Sequence, residues 1–133
     1  MTEKIWISKE WSFDAAHRLY VDEWPLDKND RVFGKCTRPH GHTYNLDVTV
    51  TGPIVDGMIL NYFDLDKIVR PIIDRLDHYD LNVIFEGMLT TAENLVERIA
   101  FLVIDEMAMR FDTIHVAQVI LRETPKTRAV WRS

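Results

Sequence analysis

Between Thr43 and Thr51 the chain runs TYNLDVTVT, with Tyr44, Leu46, Val48 and Val50 alternating against Asn45, Asp47, Thr49 and Thr51. A period of two sends alternate side chains to opposite faces of an extended backbone, so this stretch is predicted to be a half-buried strand. The same alternation predicts a strand from Ile5 to about His17, where Trp11, Phe13 and Ala15 stand against Ser12 and Asp14. His17 shares the parity of the apolar set, and so do His40 and His42 ahead of the second strand. Gly52-Pro53 and Asp56-Gly57 are turn signals, from which a hairpin with a short strand ending near Tyr62 is expected. The period then changes. Leu65, Ile68, Val69, Ile72, Ile73 and Leu76 fall on one face of an amphipathic helix, with Pro71 the point at which it could kink. A second helix is expected from Thr90, which has capping-box spacing to Glu93, through ENLVERIAFLVIDEM. TIHVAQVILRET, rich in β-branched residues, is predicted to be a strand, and RAVW a last one.

Two or three strands, two helices and one or two further strands lack the strict alternation of a parallel doubly wound sheet. The expected fold is therefore α+β: an antiparallel sheet with two helices packed on one face, in a single domain over residues 1–133. If the first two long strands pair antiparallel, the end of one, carrying His17, lies beside the start of the next, carrying His40 and His42.

Composition narrows the function. A net charge of −5 leaves no basic surplus to neutralise a phosphate backbone, which argues against a nucleic-acid binder. The longest apolar run, Ile99 to Ile104, is far short of a membrane span of about 20 residues. One cysteine forms no intrachain disulfide, and MTEKIWISKEW lacks the apolar core of a secretory signal, so a cytoplasmic location is expected.

Cys36 to His42 reads CTRPHGH and holds that cysteine with two of the five histidines. His40 and His42 are two apart, hence on one side of an extended backbone at a separation of roughly 7 Å, and Gly41 between them offers no side chain to obstruct an ion. With His17 they make a three-nitrogen set, the count at which zinc keeps a fourth position for water or substrate. Two plainer readings stand beside this one: satisfied core histidines, and a closed structural site with Cys36 as fourth ligand. A domain this apolar should not need a metal to fold, which favours chemistry. A thiol near a dication and imidazoles is held toward thiolate and can act as base or nucleophile. Asp77 beside His78 in LDHYDLN is by itself an ordinary loop pair.

Taken together and in order, AAH, C-x-x-x-HGH, LDH-x-x-LN, TAEN and ETP resemble the 6-pyruvoyl-tetrahydropterin synthase family over nearly the whole chain. Among its branches the chain is most similar to the bacterial 6-carboxy-5,6,7,8-tetrahydropterin synthases of the queuosine pathway. The three residues between Cys36 and His40 carry that preference, since the pyruvoyl enzymes resemble one another in a longer gap there. The resemblance implies a tunnelling fold that assembles into a barrel, usually a homohexamer, with active sites between subunits. It implies zinc on His17, His40 and His42, and Cys36 as proton acceptor. Asp77 with His78 would be a relay pair delivered from a neighbouring subunit. Glu123 would be the carboxylate that grips the pterin, with Thr91 in the motif lining the same pocket. The implied reaction converts 7,8-dihydroneopterin triphosphate to 6-carboxy-5,6,7,8-tetrahydropterin, with release of acetaldehyde and triphosphate. The rivals are a 6-pyruvoyl-tetrahydropterin synthase activity and a non-catalytic zinc- or pterin-binding module.

A triphosphate needs cations, and Arg31, Lys35 and Arg38 lie in a stretch from Arg31 to Asn45 that has no acidic residue. They fit a phosphate contact or an ordinary surface equally. The connection from His17 to Cys36 is longer than in the compact bacterial members. It is either an ordered lid or a loose insertion, with Trp24 covering the pocket or packing locally. His115 belongs to none of the motifs and is expected on a strand face or an interface.

Overall fold

The computed structural model describes residues 4–133, so the first three residues of the stretch weighed as a secretory signal lie outside it. Four strands form one antiparallel meander in sequential order: β1 (Trp6–His17), β2 (His40–Thr51), β3 (His115–Thr124) and β4 (Thr127–Arg132). Two long helices cover one face of it, α2 (Tyr62–Leu76) and α4 (Ala92–Arg110). Alternation in the strands places Trp11, Phe13, Ala15, Tyr44, Leu46, Val48 and Val50 on the helix side, all buried. The stripes Leu65, Ile68, Val69, Ile72, Ile73 and Leu76 of α2 and Leu95, Ile99, Val103 and Met107 of α4 close the core above them. A bulge between Thr49 and Val50 changes the β2–β3 register at the end of the sheet away from the histidines.

Several local expectations are corrected. No strand forms between Gly52 and Tyr62; Val55 and Met58 make only an isolated bridge, because the segment swings out of the sheet toward Asn61, which caps α2 by accepting from the Phe63 N–H. Pro71 sits on the exposed side of α2, and the helix continues through it. The cap of α4 is Thr91 rather than Thr90: its hydroxyl accepts from the Asn94 N–H, and no capping box forms.

The long connection after β1 is ordered. It carries an additional helix, α1 (Leu26–Phe33), followed by a 3-10 turn, Gly34–Thr37. Asn29, fully buried, organises it: its side-chain oxygen accepts from the Val21 N–H at 2.8 Å, and its amide reaches the carbonyls of Val21, Trp24 and Pro25. Trp24 packs locally, stacked on Phe33 at 5.8 Å with the Lys28 ammonium over its ring. Gly34, at φ +57°, takes a backbone conformation open to glycine and turns the chain toward Cys36.

After α2 the chain lies alongside the end of β1. The His78 N–H donates to the Asp14 carbonyl, the Ala16 N–H to the Tyr79 carbonyl and the Arg18 N–H to the Asn82 side chain, with a parallel bridge between Ala16 and Asp80. A four-residue helical turn, α3 (Leu81–Ile84), follows, capped by Asp80. This strip and its sequel back the end of β1 that carries His17.

Candidate metal centre

The β1–β2 register sets His17 opposite His40 and Ala15 opposite His42, so parity and pairing together bring three imidazoles to one end of the helix-facing side. Their ring centroids are 4.7, 5.3 and 5.0 Å apart, and one nitrogen from each falls within 4.8 Å of the others. Gly41 is not what clears the space: a Cβ there would point to the other face, meeting the Ala15 carbonyl at an ordinary 3.7 Å.

Hydrogen bonds determine which nitrogens face inward. His17 Nδ1 lies 2.9 Å from the Thr90 carbonyl and 3.1 Å from its hydroxyl oxygen; His40 Nδ1 lies 2.8 Å from the Arg38 carbonyl. A carbonyl only accepts, so both Nδ1 atoms donate and both Nε2 atoms present lone pairs. His17 Nε2 is buried with no hydrogen-bond partner. Glu123 on β3 places Oε2 3.5 Å from that nitrogen and 3.2 Å from His42 Nε2. A buried lone pair facing a carboxylate is unfavourable unless something positive stands between them, and a divalent cation suits this donor set. Nδ1–H bonded to a carbonyl is also the outer support that metal-bound histidines have.

Electrostatics agrees. Burial first, then the neighbouring His40, push His17 down from 6.5 to about 4, and the same two causes lower His42. Neutral imidazoles are the form that binds a metal. Burial raises the Glu123 carboxyl, with His40 opposing and Glu93 adding. Burial, and then Glu123, raises the Tyr44 phenol beside the histidines.

The remaining predicted residues are placed as follows. Cys36 is a half-buried free thiol in the 3-10 turn; its sulfur is not among the converging ligand atoms, and its carbonyl accepts from the Leu19 N–H, tying the turn to the end of β1. Asp77 and His78 lie at the free edge of β1 beside Asp14, where Asp77 Oδ1 is 3.0 Å from His78 Nδ1 and accepts from the Asp14 N–H. His78 is exposed and has φ +66°, and it lines an open groove with His42, Gly41 and Thr43. The Asp14 N–H, followed by His78, holds the Asp77 carboxyl below its ordinary value. Thr91 is occupied with capping α4, whereas its neighbours Ala92 and Glu93 line a groove of ≈ 510 Å³ with Glu123, Thr127 and Arg128. Arg31, Lys35 and Arg38 are exposed and make no ion pair with a described carboxylate. His115 opens β3 at the far end of the sheet, in a groove with Trp6 and Trp131.

Two residues with a part in the site were not assigned to it from the sequence: Thr90, read as the start of the second helix, and Asn82, the last residue of LDH-x-x-LN. Thr90 is fully buried against His17, and Asn82 bonds to it and to Arg18. The signal was available in part: a second threonine before a helix already capped has a hydroxyl left over for other work.

Comparison with known proteins agrees with this arrangement. The family model described as 6-pyruvoyl tetrahydropterin synthase matches residues 6–133. A 6-pyruvoyl tetrahydrobiopterin synthase of Dictyostelium discoideum is 37% identical over 101 residues, covering 71% of this chain and 75% of its own. A chain of Archaeoglobus fulgidus, provisionally named a 6-carboxy-5,6,7,8-tetrahydropterin synthase, is 32% identical, covering 89% of this chain and 91% of its own. Among solved structures, the 6-pyruvoyl tetrahydropterin synthase of Caenorhabditis elegans superposes with a TM-score of 0.84 at 26% identity, covering 100% of this chain and 99% of that one. With its meander, its two covering helices and its three converging histidines, the chain belongs to the 6-pyruvoyl tetrahydropterin synthase family.

Proposed function

We propose that this protein is a zinc-dependent lyase of the queuosine and 7-deazaguanine route, acting in the cytoplasm. It converts 7,8-dihydroneopterin triphosphate and water to 6-carboxy-5,6,7,8-tetrahydropterin, acetaldehyde and triphosphate. The observation that supports a catalytic centre is the set of inward-facing Nε2 atoms on His17 and His40, with His42 and Glu123 beside them. Zinc held on the three imidazoles would supply Lewis acidity toward the substrate's side-chain hydroxyls. Glu123 accepts two parallel hydrogen bonds from the aminopyrimidinone edge of the pterin and fixes the ring's orientation. Thr91, at the first turn of α4, helps to define the wall on which that ring rests. Cys36 takes a proton from the side chain, and His78, oriented by Asp77, supplies or accepts another.

The carboxy product is favoured by the short interval from Cys36 to His40, which begins in the 3-10 turn Gly34–Thr37. A 6-pyruvoyl product is the second reading, favoured by the name of the Dictyostelium relative. Incubation with 7,8-dihydroneopterin triphosphate, with and without a chelator, tests both. Acetaldehyde formed only without chelator is the expected result; a pyruvoyl product without acetaldehyde selects the second reading, and turnover unaffected by chelator removes zinc from either.

The active unit is read as a homohexamer with sites between subunits, His78 serving a neighbour's site from its exposed position. Mixing Cys36→Ala with His78→Ala subunits checks this. Activity recovered in mixed assemblies places thiol and relay pair on different chains, and no recovery places them on one.

A further inference from the structure

The hydrogen bonds behind His17 form a closed circuit. The Thr90 hydroxyl has one proton, which it donates to the Arg18 carbonyl at 3.2 Å. Its lone pairs face His17 Nδ1 at 3.1 Å and the Asn82 amide at 3.4 Å. Asn82 in turn accepts from the Arg18 N–H at 2.8 Å and donates to the Arg18 carbonyl at 3.1 Å. Both oxygens of Thr90 therefore act toward His17 only as acceptors. With its proton committed elsewhere, the hydroxyl cannot donate to the ring.

We propose that Asn82 and Thr90 are positioning residues that lock the tautomer and orientation of His17, keeping its Nε2 lone pair aimed at the metal position. The proposal rests on the reading of His17, His40 and His42 as a metal centre and adds to it the residues that act through His17. Three features support it. Thr90 is fully buried and His17 nearly so, which leaves the ring no solvent to exchange partners with. Asn82 belongs to the strip bonded along β1, so its amide fixes the residue next to His17 at both its N–H and its carbonyl. His40 is supported by the single Arg38 carbonyl in an exposed bend, so among the described residues His17 has the more heavily built support. Losing an outer support of a metal ligand typically weakens binding by about 10–100-fold.

The test uses the full chain as Asn82→Ala, Thr90→Val and Thr90→Ser, with zinc affinity read by competition with a chromophoric chelator. In metal-free protein, two-bond proton–nitrogen NMR reads the His17 tautomer and the exchange of its Nδ1 proton with water. Asn82→Ala and Thr90→Val are expected to bind zinc about tenfold or more weakly and to speed exchange of the Nδ1 proton. Thr90→Ser, which keeps the hydroxyl, should stay within about threefold of the parent. Affinities of Asn82→Ala and Thr90→Val within twofold of the parent, with the Nδ1 proton equally protected, would overturn the proposal. Should Asn82→Ala fail to fold, the Thr90 pair decides alone. A parent chain that binds no zinc removes the metal reading itself, and this differs from a parent that binds while the variants bind as well.

Discussion

Two groups of three potential ligands stand within 4.8 Å among the described residues: His17, His40 and His42 on the helix-facing side of the sheet, and Asp14, Asp77 and His78 at the free edge of β1. By spacing they look alike; by chemistry they differ. In the first group, burial lowers the proton affinity of His17 and His42, and outer hydrogen bonds aim the lone pairs of His17 and His40 inward. In the second, Asp77 is stabilised as a carboxylate by the Asp14 N–H and by an exposed His78, so acid and base already satisfy each other. Convergence of ligand-bearing residues therefore says less than the question of whether their donors and acceptors are already matched. An unmatched buried nitrogen calls for a cation, whereas a matched exposed pair is suited to passing protons.

The sharpest break between the two groups should come from removing one imidazole at a time. His17→Ala is expected to weaken zinc binding by at least about a hundredfold, through loss of a direct ligand, while His78→Ala leaves affinity within about twofold. Equal losses in chelator competition would erase the distinction. Turnover should divide differently: Cys36→Ala and His78→Ala are each expected to lower kcat by about 10²–10⁴-fold with zinc content unchanged. Metal analysis alongside steady-state rates checks this, and zinc lost from Cys36→Ala would make the thiol a structural ligand.

The pH dependence of stability separates the groups next. His17 titrates at about 4 in the folded protein against 6.5 as a free side chain, so the unfolded chain takes up its proton first as pH falls. Stability of the metal-free protein should be level above about pH 6.5 and decline toward pH 4, by roughly 3 kcal/mol from this group. His42, also lowered, adds in the same direction. Asp77 works lower on the scale: its folded carboxyl lies below the ordinary 3.8, so its contribution persists down to there and is lost only as pH falls further. Urea unfolding of the metal-free chain from pH 7.5 to 4 reads the first window, and a slope unchanged in His17→Gln would contradict its assignment to His17. The smallest effect is expected from Thr43→Val, which removes the hydroxyl donating to Asp14 in the exposed group. A loss of no more than about 0.5 kcal/mol should appear in the same titration.

The histidine site was legible because two facts sufficed: strand parity, visible in Trp11 to His17 and His40 to Val50, and antiparallel pairing of the two strands. Neither depends on distant residues. What was missed depended on them. Thr90 and Thr91 are equivalent by local pattern, and only His17, 73 positions away, draws the first of them inward and leaves the second to cap the helix. Helix α1 went unread because it has little apolar face. Its order comes instead from one buried amide, Asn29, bonded to the preceding loop. The expected strand before Tyr62 came to a single bridge, Val55 with Met58 across the Asp56-Gly57 turn.

The strip from Asp77 to Asn82 has one more effect. The margin of a sheet normally offers a ladder of unsatisfied groups on which any extended chain can dock, the usual seed of unwanted fibrillar growth. Along the last third of β1 and just past its end those rungs are already taken, by Asp77 at residue 14, Tyr79 at residue 16 and Asn82 at residue 18. The margin nearest the reactive end is thus sealed by two side chains and a backbone carbonyl of the same chain, and new strands can attach to β1 only toward Trp6.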